Sequence, residues 1–317
     1  MSRRLLGIAP QETSFARRGF RCDAADLRAR LEEVGRTFVA GYHAALEESE
    51  AAPLAARLDR VDRELRGWAY EGAAMALAIL DAMTPWRRRS ARLPRFLAGP
   101  ADPHVYLAHV GAGWSLARVP LSPARLRARL DPLLGWLALD GYGFHQGFFH
   151  WPQAIGRQRV PRRLAGYARR AFDQGLGRSL WFVEGADPGR IAAAVAAFPP
   201  ARRGDLWSGV GLAAAYAGGV DRSGLAALRA AAAGWAPQLA QGAAFAAKAR
   251  QRAGALTPAT ELACAVLCGC SAAAAAAATD EAQRELAPES TPSAASALPA
   301  YEVWRQRIAA RFAGEAT

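Results

Sequence analysis

Two histidines five residues apart are the side chains in this sequence best suited to acid–base chemistry or metal binding. His145 and His150 flank a glycine- and aromatic-rich run, and His104 and His109 repeat the same spacing upstream. Five residues turn an α-helix through about 140°, so neither pair alone suits a shared metal, but all four histidines could converge in space. Asp140 is placed to orient a histidine. We assign His145, His150 and Asp140 to a candidate catalytic site; the alternative is ordinary, partly buried histidines and a simple polar aspartate.

The segment that carries these residues is unusually rich in glycine and aromatic side chains. Residues 139–151 include three glycines before Trp151, although glycine in a helix costs about 1 kcal/mol relative to alanine. Glycines allow a flat ligand or another backbone to approach closely, and aromatic rings line apolar pockets. We therefore expect a ligand pocket and assign eight residues to it: Gly141, Tyr142, Gly143, Phe144, Phe148, Trp181, Trp207 and Gly209.

Two charged residues, Arg178 and Glu184, border the apolar run 179–183. They are either its solvated ends or a buried pair, and we include them in the candidate catalytic site as supporting polar groups. The alternative for Arg178 is a structural arginine that caps a helix or pairs between repeated units. Glu71 and Asp205 also fall in apolar surroundings, where a carboxylate would need a partner. The sequence has no phosphate-binding loop, nucleophile elbow or zinc-binding motif, and it identifies no cofactor or metal.

Composition describes a globular chain of 317 residues with 52% hydrophobic and 21% charged residues. The net charge is +12, and Lys248 is the only lysine, so nearly all of the basicity is arginine. These arginines are scattered through helical patterns and form no extended basic patch, which argues against a nucleic-acid partner. The four cysteines do not form a disulfide framework. Cys264 and Cys268 are predicted to be small buried residues.

No segment of the sequence is a convincing membrane anchor. The N-terminus is too short in apolar residues for a signal peptide. The longest uncharged run, 262–279, could span a bilayer by length, but it contains seven consecutive alanines and is weakly hydrophobic. We expect a buried helix followed by an exposed one, no transmembrane segment and a cytoplasmic protein.

A motif occurs twice in the chain and suggests two related halves. Gly35 and Gly177 open the two copies, and Gly72 and Gly209 lie in their aromatic-x-Gly ends, with a faint third echo at Gly242. The first copy is predicted to hold one long helix after Pro53, with an apolar stripe from Leu54 to Ile79. In the second copy Asp187 is expected to cap a helix with Pro188 in its first turn. Pro199-Pro200 then breaks the equivalent stretch into two helices.

The predicted architecture is an all-α, pseudo-symmetric domain of roughly a dozen helices. It spans residues 1–279, with halves at about 20–84 and 160–220 and an insert at 100–152 that carries four of the five histidines. Asp23 is expected to cap the first long helix, residues 104–114 read as strand or helix, and 226–252 reads as helix. Residues 280–317 are predicted to be a flexible linker, rich in Glu, Pro, Ser and Ala up to about residue 300, followed by a short docking helix.

Three stretches, 140–145, 172–182 and 205–219, resemble a bacterial family of enediyne biosynthesis proteins of the UnbL type. The resemblance covers roughly residues 5–278. It implies a role in a polyketide (enediyne) pathway, acting on or handling a linear polyene intermediate, alongside UnbV- and UnbU-type proteins; it supplies no catalytic residues. A flat, apolar polyene would suit a pocket of glycines and aromatic rings. The alternatives are a non-catalytic polyene-binding or scaffold protein and, less favoured, a histidine-bound metal or haem site.

Overall fold

The computed structural model describes residues 2–84, 91–286 and 298–314, in which all regular secondary structure is helical. The prediction of an all-α fold is confirmed. The α-helices are α1 Ser2–Leu6, α2 Phe15–Arg18, α3 Ala25–Glu47, α4 Ala51–Leu58, α5 Arg66–Met83, α6 Arg92–Leu97, α7 Val105–Trp114, α8 Pro123–Arg127, α9 Leu137–Phe149, α10 Tyr167–Val183, α11 Pro188–Ala196, α12 Pro200–Ala217, α13 Arg222–Ala232, α14 Ala236–Arg252, α15 Pro258–Leu267, α16 Ala272–Arg284 and α17 Ala300–Arg311. Short 3₁₀ turns occupy Pro10–Thr13, Asp102–His104, Ser115–Ala117, Leu134–Trp136 and Ala233–Trp235, and a π-turn occupies Pro152–Gly156.

The prediction of one long helix after Pro53 is wrong, because the chain turns between α4 and α5. Side chains of α5 hold this turn. The Arg66 guanidinium donates to the carbonyl oxygens of Asp59 (2.8 Å) and Val61 (3.3 Å), and the Tyr70 hydroxyl donates to Asp59 Oδ1 (3.0 Å). The first copy of the motif therefore has the same order of long, short and long helices as the second, where α10, α11 and α12 follow one another.

The other helix boundaries agree with the sequence prediction in part. Asp187 accepts a hydrogen bond from the Arg190 N–H and caps α11 as its sequence suggests. Asp23 does not cap α3, because its carboxylate pairs with the Arg190 guanidinium at 2.8 Å. Residues 105–114 are helix, and the expected helix over 226–252 is divided by the 3₁₀ turn Ala233–Trp235.

Seven helices form a row in which each packs closely on the next: α3, α5, α7, α9, α10, α12 and α14. Glycines make this approach possible. A Cβ on Gly141 would lie 1.9 Å from the carbonyl oxygen of Val110 in α7, and one on Gly143 would lie 1.9 Å from that of Phe172 in α10. The first glycine thus contacts the preceding helix and the second contacts the following one. The same holds for each Gly-x-Gly pair of the row: Gly111/Gly113, Gly141/Gly143, Gly175/Gly177 and Gly209/Gly211.

The repeated unit that these contacts show is a single helix. Gly72 and Gly209, which align in the duplicated motif, make equivalent contacts with the carbonyl oxygens of the preceding helix, and Gly242 does the same. The alignment at the opening of the motif is different. Gly177 faces the following helix, as Gly41 does, whereas Gly35 faces the Thr13 side chain. The structural equivalent of Gly177 is therefore Gly41.

A buried polar residue directly precedes the first glycine in most helices of the row. We call these residues the polar row: Glu71, Asp140, Gln174, Ser208 and Gln241. The corresponding position in α7 is Val110. Because a polar group buried in a protein needs a hydrogen-bond partner, we expect each member of the polar row to have one.

The C-terminal helix α17 packs on α14 and α16 and supplies partners to the polar row. The Tyr301 hydroxyl meets Gln174 Oε1 at 3.1 Å, and Arg305 Nε donates to Gln241 Oε1 at 3.3 Å. The helix that the sequence predicts near the C-terminus lies at Ala300–Arg311. The predicted linker begins too early, because α16 continues to Arg284; the rest of that prediction falls largely on 287–297, outside the described residues.

The apolar run 262–279 is divided between α15 and α16. Over the described residues no single helix is long and apolar enough to cross a membrane, although α15 and α16 pass that test as a pair bent by 68°. Cys264 and Cys268 are buried in this region, as predicted, and their thiols lie against backbone carbonyls of α14.

Candidate functional site

Two apolar cavities lie inside the row of helices, on either side of a group of buried charges. Cavity 1 is bordered by residues of α7, α9, α10, α12, α14 and α17, among them Tyr106, Leu107, Tyr216 and Arg178. Cavity 2 lies between α3, α5, α7, α9, α10 and the N-terminal segment. Each offers about 30 Å³ of room, enough for one or two water molecules.

Cavity 2 has a strongly aromatic wall and a single carboxyl group. Its lining includes seven aromatic side chains: Phe38, Trp68, Trp114, Phe144, Phe148, Phe149 and Phe182. Ile8 and Thr13 close one side, where the N-terminal segment is held by the Ile8 N–H donating to His43 Nε2 at 3.1 Å. Glu71 of the polar row supplies the carboxyl group. An aromatic lining with a few polar groups is typical of small-molecule sites, which usually have volumes of roughly 300–1,000 Å³; cavity 2 has this lining in a much smaller space.

Three buried ionisable side chains connect the linings of the two cavities. Arg178 borders cavity 1 and Glu71 borders cavity 2, and an Arg178 Nη1 donates to Asp140 Oδ1. Glu71 is fully buried, and Asp140 and Arg178 are 1% and 2% exposed. The Arg178 guanidinium also lies over the Phe144 ring, 5.0 Å from its centroid. One cation therefore serves two carboxyl groups in a place that water does not reach.

Glu71 is the member of the polar row that lacks a hydrogen-bond partner on either oxygen. Burial raises its pKa to about 8; the Arg178 charge opposes that rise and the Asp140 charge adds to it. The Trp114 indole N–H lowers the pKa slightly without reaching normal hydrogen-bond geometry. Glu71 is thus mostly a neutral acid at pH 7, able to donate as well as accept a hydrogen bond. Burial also raises the pKa of Asp140, and Arg178 opposes that rise.

The structure places His145 behind the aromatic wall of cavity 2. It is buried against Trp114 and Phe149, and its ring centroid is 6.1 Å from that of the exposed His150. Burial, with smaller effects from the His150 and Arg118 charges, lowers the pKa of His145 to about 3. A histidine with so low a pKa stays neutral at pH 7, so it is a weak base there.

The remaining histidines do not join this pair. His104 packs on the Tyr70 ring at 4.4 Å, and burial lowers its pKa to about 4. His109 is held within α7, where its Nδ1 lies 2.8 Å from the carbonyl oxygen of Val105. Across residues 2–84, 91–286 and 298–314, no group of three or more His, Cys, Asp or Glu side chains is arranged to hold a metal ion.

The residues that the sequence assigned to ligand binding divide into two groups. Phe144 and Phe148 do line cavity 2. Gly141, Gly143 and Gly209 face the backbone of neighbouring helices, so their missing side chains make room for helix packing.

The aromatic residues Tyr142, Trp181 and Trp207 are buried but border neither cavity. Tyr142 packs on Phe172 at 5.7 Å, and the Trp181 indole donates to the Gly218 carbonyl oxygen at 3.1 Å. These contacts describe core residues.

Arg178 and Glu184 do not act together. Arg178 pairs with Asp140, whereas Glu184 lies at the end of α10, 4.0 Å from the Arg21 guanidinium. Asp205, the other carboxylate that needed a partner, has two: Arg170 at 2.9 Å and Arg305 at 2.8 Å.

The sequence placed Glu71 among candidate buried carboxylates but did not assign it to the site, and it did not assign Trp68 or Trp114 to the site either. The sequence feature that could have identified the site is Glu71 itself, because an acidic residue inside an apolar stretch such as 67–79 is almost never fully buried unless it is paired.

Comparison with known proteins gives a family but no described relative. No curated protein and no solved structure matches the chain. One family, described as protein of unknown function (DUF1702), matches residues 1–312. Because that match covers almost the whole sequence, the chain belongs to the DUF1702 family.

Proposed function

We propose that this protein binds a flat, apolar, conjugated molecule in cavity 2 and handles a linear polyene intermediate of a polyketide (enediyne) pathway. The observation that carries the proposal is the lining of cavity 2, with seven aromatic rings and one carboxyl group. Aromatic side chains offer large, rigid contact surfaces to a flat conjugated chain. The pathway assignment comes from the resemblance of residues 140–145, 172–182 and 205–219 to UnbL-type proteins.

A ligand larger than a few atoms enters cavity 2 only if one wall moves. The N-terminal segment is the wall best suited to moving, since it is not part of the row of helices. Thr13 contacts cavity 2 beside Gly35, and a Cβ on Gly35 would lie 2.8 Å from Thr13 Cβ. Gly35, which opens the first copy of the motif, thus leaves the space in which Thr13 packs beside the cavity.

Tryptophan fluorescence tests the site directly, because Trp68 and Trp114 are in the wall. A neutral, linear conjugated tetraene is expected to quench this fluorescence on binding. Val34→Phe fills cavity 2 and is expected to abolish the quenching. Leu107→Phe makes a similar change in cavity 1 and serves as the matched control. Equal effects of the two substitutions, or no quenching by the probe, would contradict the proposal.

A second candidate function is a non-catalytic carrier or scaffold for UnbV- and UnbU-type proteins. The observation that favours it is the low pKa of the buried His145, which makes the predicted acid–base residue a weak base at pH 7. His145→Ala in a producing strain distinguishes the two functions. Loss of product at a normal protein level supports catalysis by His145, whereas a normal titre supports the carrier.

Gene deletion tests the pathway, since the intermediate that accumulates should be a linear polyene.

A cytoplasmic location and the absence of a nucleic-acid partner stay predictions. So does the origin of the domain in two related halves. One support is the shared order of long, short and long helices in α3–α5 and α10–α12. The other is that Gly41 and Gly177 both contact the following helix, while Gly72 and Gly209 both contact the preceding helix.

A further inference from the structure

We propose that Glu71 recognises a carbonyl oxygen, so that cavity 2 selects conjugated ketones or aldehydes over pure hydrocarbons. This inference rests on the proposed function, since it concerns the chemistry of the same ligand. It adds the group that the ligand carries and the residue that reads it.

The first support is the state of the polar row. Asp140 Oδ1 accepts from Arg178, Gln174 Oε1 from Tyr301, and Gln241 Oε1 from Ser208 at 2.7 Å. Asp140 Oδ2 and the Nε2 atoms of Gln174 and Gln241 lack partners, but each of these side chains keeps at least one hydrogen bond. Glu71 is fully buried and neither of its oxygens has a partner. A buried polar group without a partner costs roughly 1–3 kcal/mol, so the fold retains Glu71 at the expense of its own stability.

The second support is the place of this carboxyl group. Glu71 borders the aromatic cavity together with Trp68 on its own helix and Trp114 on α7. The surrounding lining offers the ligand rings and aliphatic groups; besides Glu71, the only polar side chain groups there are the Thr13 hydroxyl and the two indole N–H groups. The Thr13 hydroxyl already donates to the Pro10 carbonyl oxygen at 2.8 Å. The Trp114 indole N–H also lacks a partner, so a ligand seated against the rings would meet Glu71 and this N–H as its polar contacts.

The third support is the sign of the interaction. A ligand carboxylate would place a second negative charge beside Asp140, in a place that water does not reach. A ligand carbonyl needs a donor, and a neutral carboxylic acid is one. The positive charge of Arg178 is already paired with Asp140. It is therefore not free to pair with an anionic ligand, and the site favours a neutral oxygen. These observations together select a neutral, carbonyl-bearing conjugated ligand.

Two matched probes test the inference: a linear conjugated tetraenone and the tetraene hydrocarbon of the same chain length. We expect the wild-type protein to bind the ketone at least about tenfold more tightly, as one buried hydrogen bond allows. Glu71→Leu should remove that preference while keeping the hydrocarbon affinity, and Glu71→Gln, which retains an N–H donor, should keep much of it. The Kd values are measured by tryptophan quenching.

Each outcome decides a different claim. Equal affinity of the wild-type protein for both probes, or a preference for the ketone that persists in Glu71→Leu, would overturn the role of Glu71 and leave the proposed function standing. Failure of both probes to bind would overturn the proposed function together with this inference. The wild-type comparison and Glu71→Gln keep the test decisive even if Glu71→Leu does not fold.

Discussion

Arg178 on α10 and Asp140 on α9 form an ion pair in which neither side chain is more than 2% exposed. The same guanidinium lowers the pKa of Glu71 by its charge and lies over the Phe144 ring. Arg178 therefore connects three features that the sequence shows as unrelated: the glycine-rich stretch of α9, the apolar stripe of α5 and the second copy of the repeated motif.

Removal of Arg178 should be costly because it leaves two buried carboxyl groups without a cation. We expect Arg178→Met to lower the free energy of unfolding by about 3–5 kcal/mol, and Arg178→Met with Asp140→Leu to recover much of that loss. The exposed pair of Arg57 and Glu47 offers a control, since Arg57→Met should cost less than about 1 kcal/mol. Urea unfolding at pH 7 measures all three. A double variant no more stable than the single one would contradict a buried pair.

Glu71 should make the stability of the protein fall as pH rises. Its pKa is about 8 in the folded protein, against 4.5 for an ordinary glutamate in an unfolded chain, so between these values the folded chain holds a proton that the unfolded chain has lost. Stability is then lost by about 1.4 kcal/mol per pH unit across that window and by no more above it. Glu71→Gln should flatten this dependence.

The measurement is urea unfolding from pH 5 to pH 8. Arg178, Asp140 and Tyr216 are the charged or titratable groups that act on Glu71, and all three are unchanged in the variant. Glu33→Gln removes an exposed carboxyl group from α3 as a control. If wild type and Glu71→Gln show the same slope, Glu71 is not a buried neutral acid.

His145 should act in the opposite direction and on the acid side. Its pKa is about 3 in the folded protein against 6.5 for an ordinary histidine, so between these values the unfolded chain binds a proton that the folded chain does not. Stability therefore rises with pH across that window, by about 1.4 kcal/mol per unit. His145→Phe should make acid unfolding less steep, as measured by circular dichroism from pH 3 to pH 7. An unchanged acid transition would argue that His145 is protonated in the folded state.

The helix contacts at the glycine pairs should tolerate no side chain. A Cβ on Gly175 would lie 1.7 Å from the carbonyl oxygen of Asp140, so α9 and α10 would have to separate. We expect Gly175→Ala to destabilise the protein by about 3 kcal/mol or more, at or beyond the upper end of overpacking effects. Gly156→Ala is the control, because nothing lies within 4 Å of its Cβ position. Thermal unfolding compares them; similar midpoints would show that the helices are not interlocked.

The sequence by itself determined the helical class and the cap that begins α11. Apolar spacing and a cap such as Asp187 before Pro188 act within a few residues, so they can be read locally. The sequence also shows the repeated glycines and the single carboxyl group, Glu71, within an apolar stretch. It did not reveal the turn at Asp59, which depends on hydrogen bonds from Arg66 and Tyr70.

Only the tertiary structure decided what those residues do. The glycines of α9 looked like room for a ligand, but carbonyl oxygens of α7 and α10 fill that room. Glu71 and Arg178 come together because α5 and α10 both border the interior, although more than a hundred residues of chain separate them. Which buried charge gains a partner and which is left facing a cavity depends on helices that meet in space, and spacing along one helix does not encode that meeting.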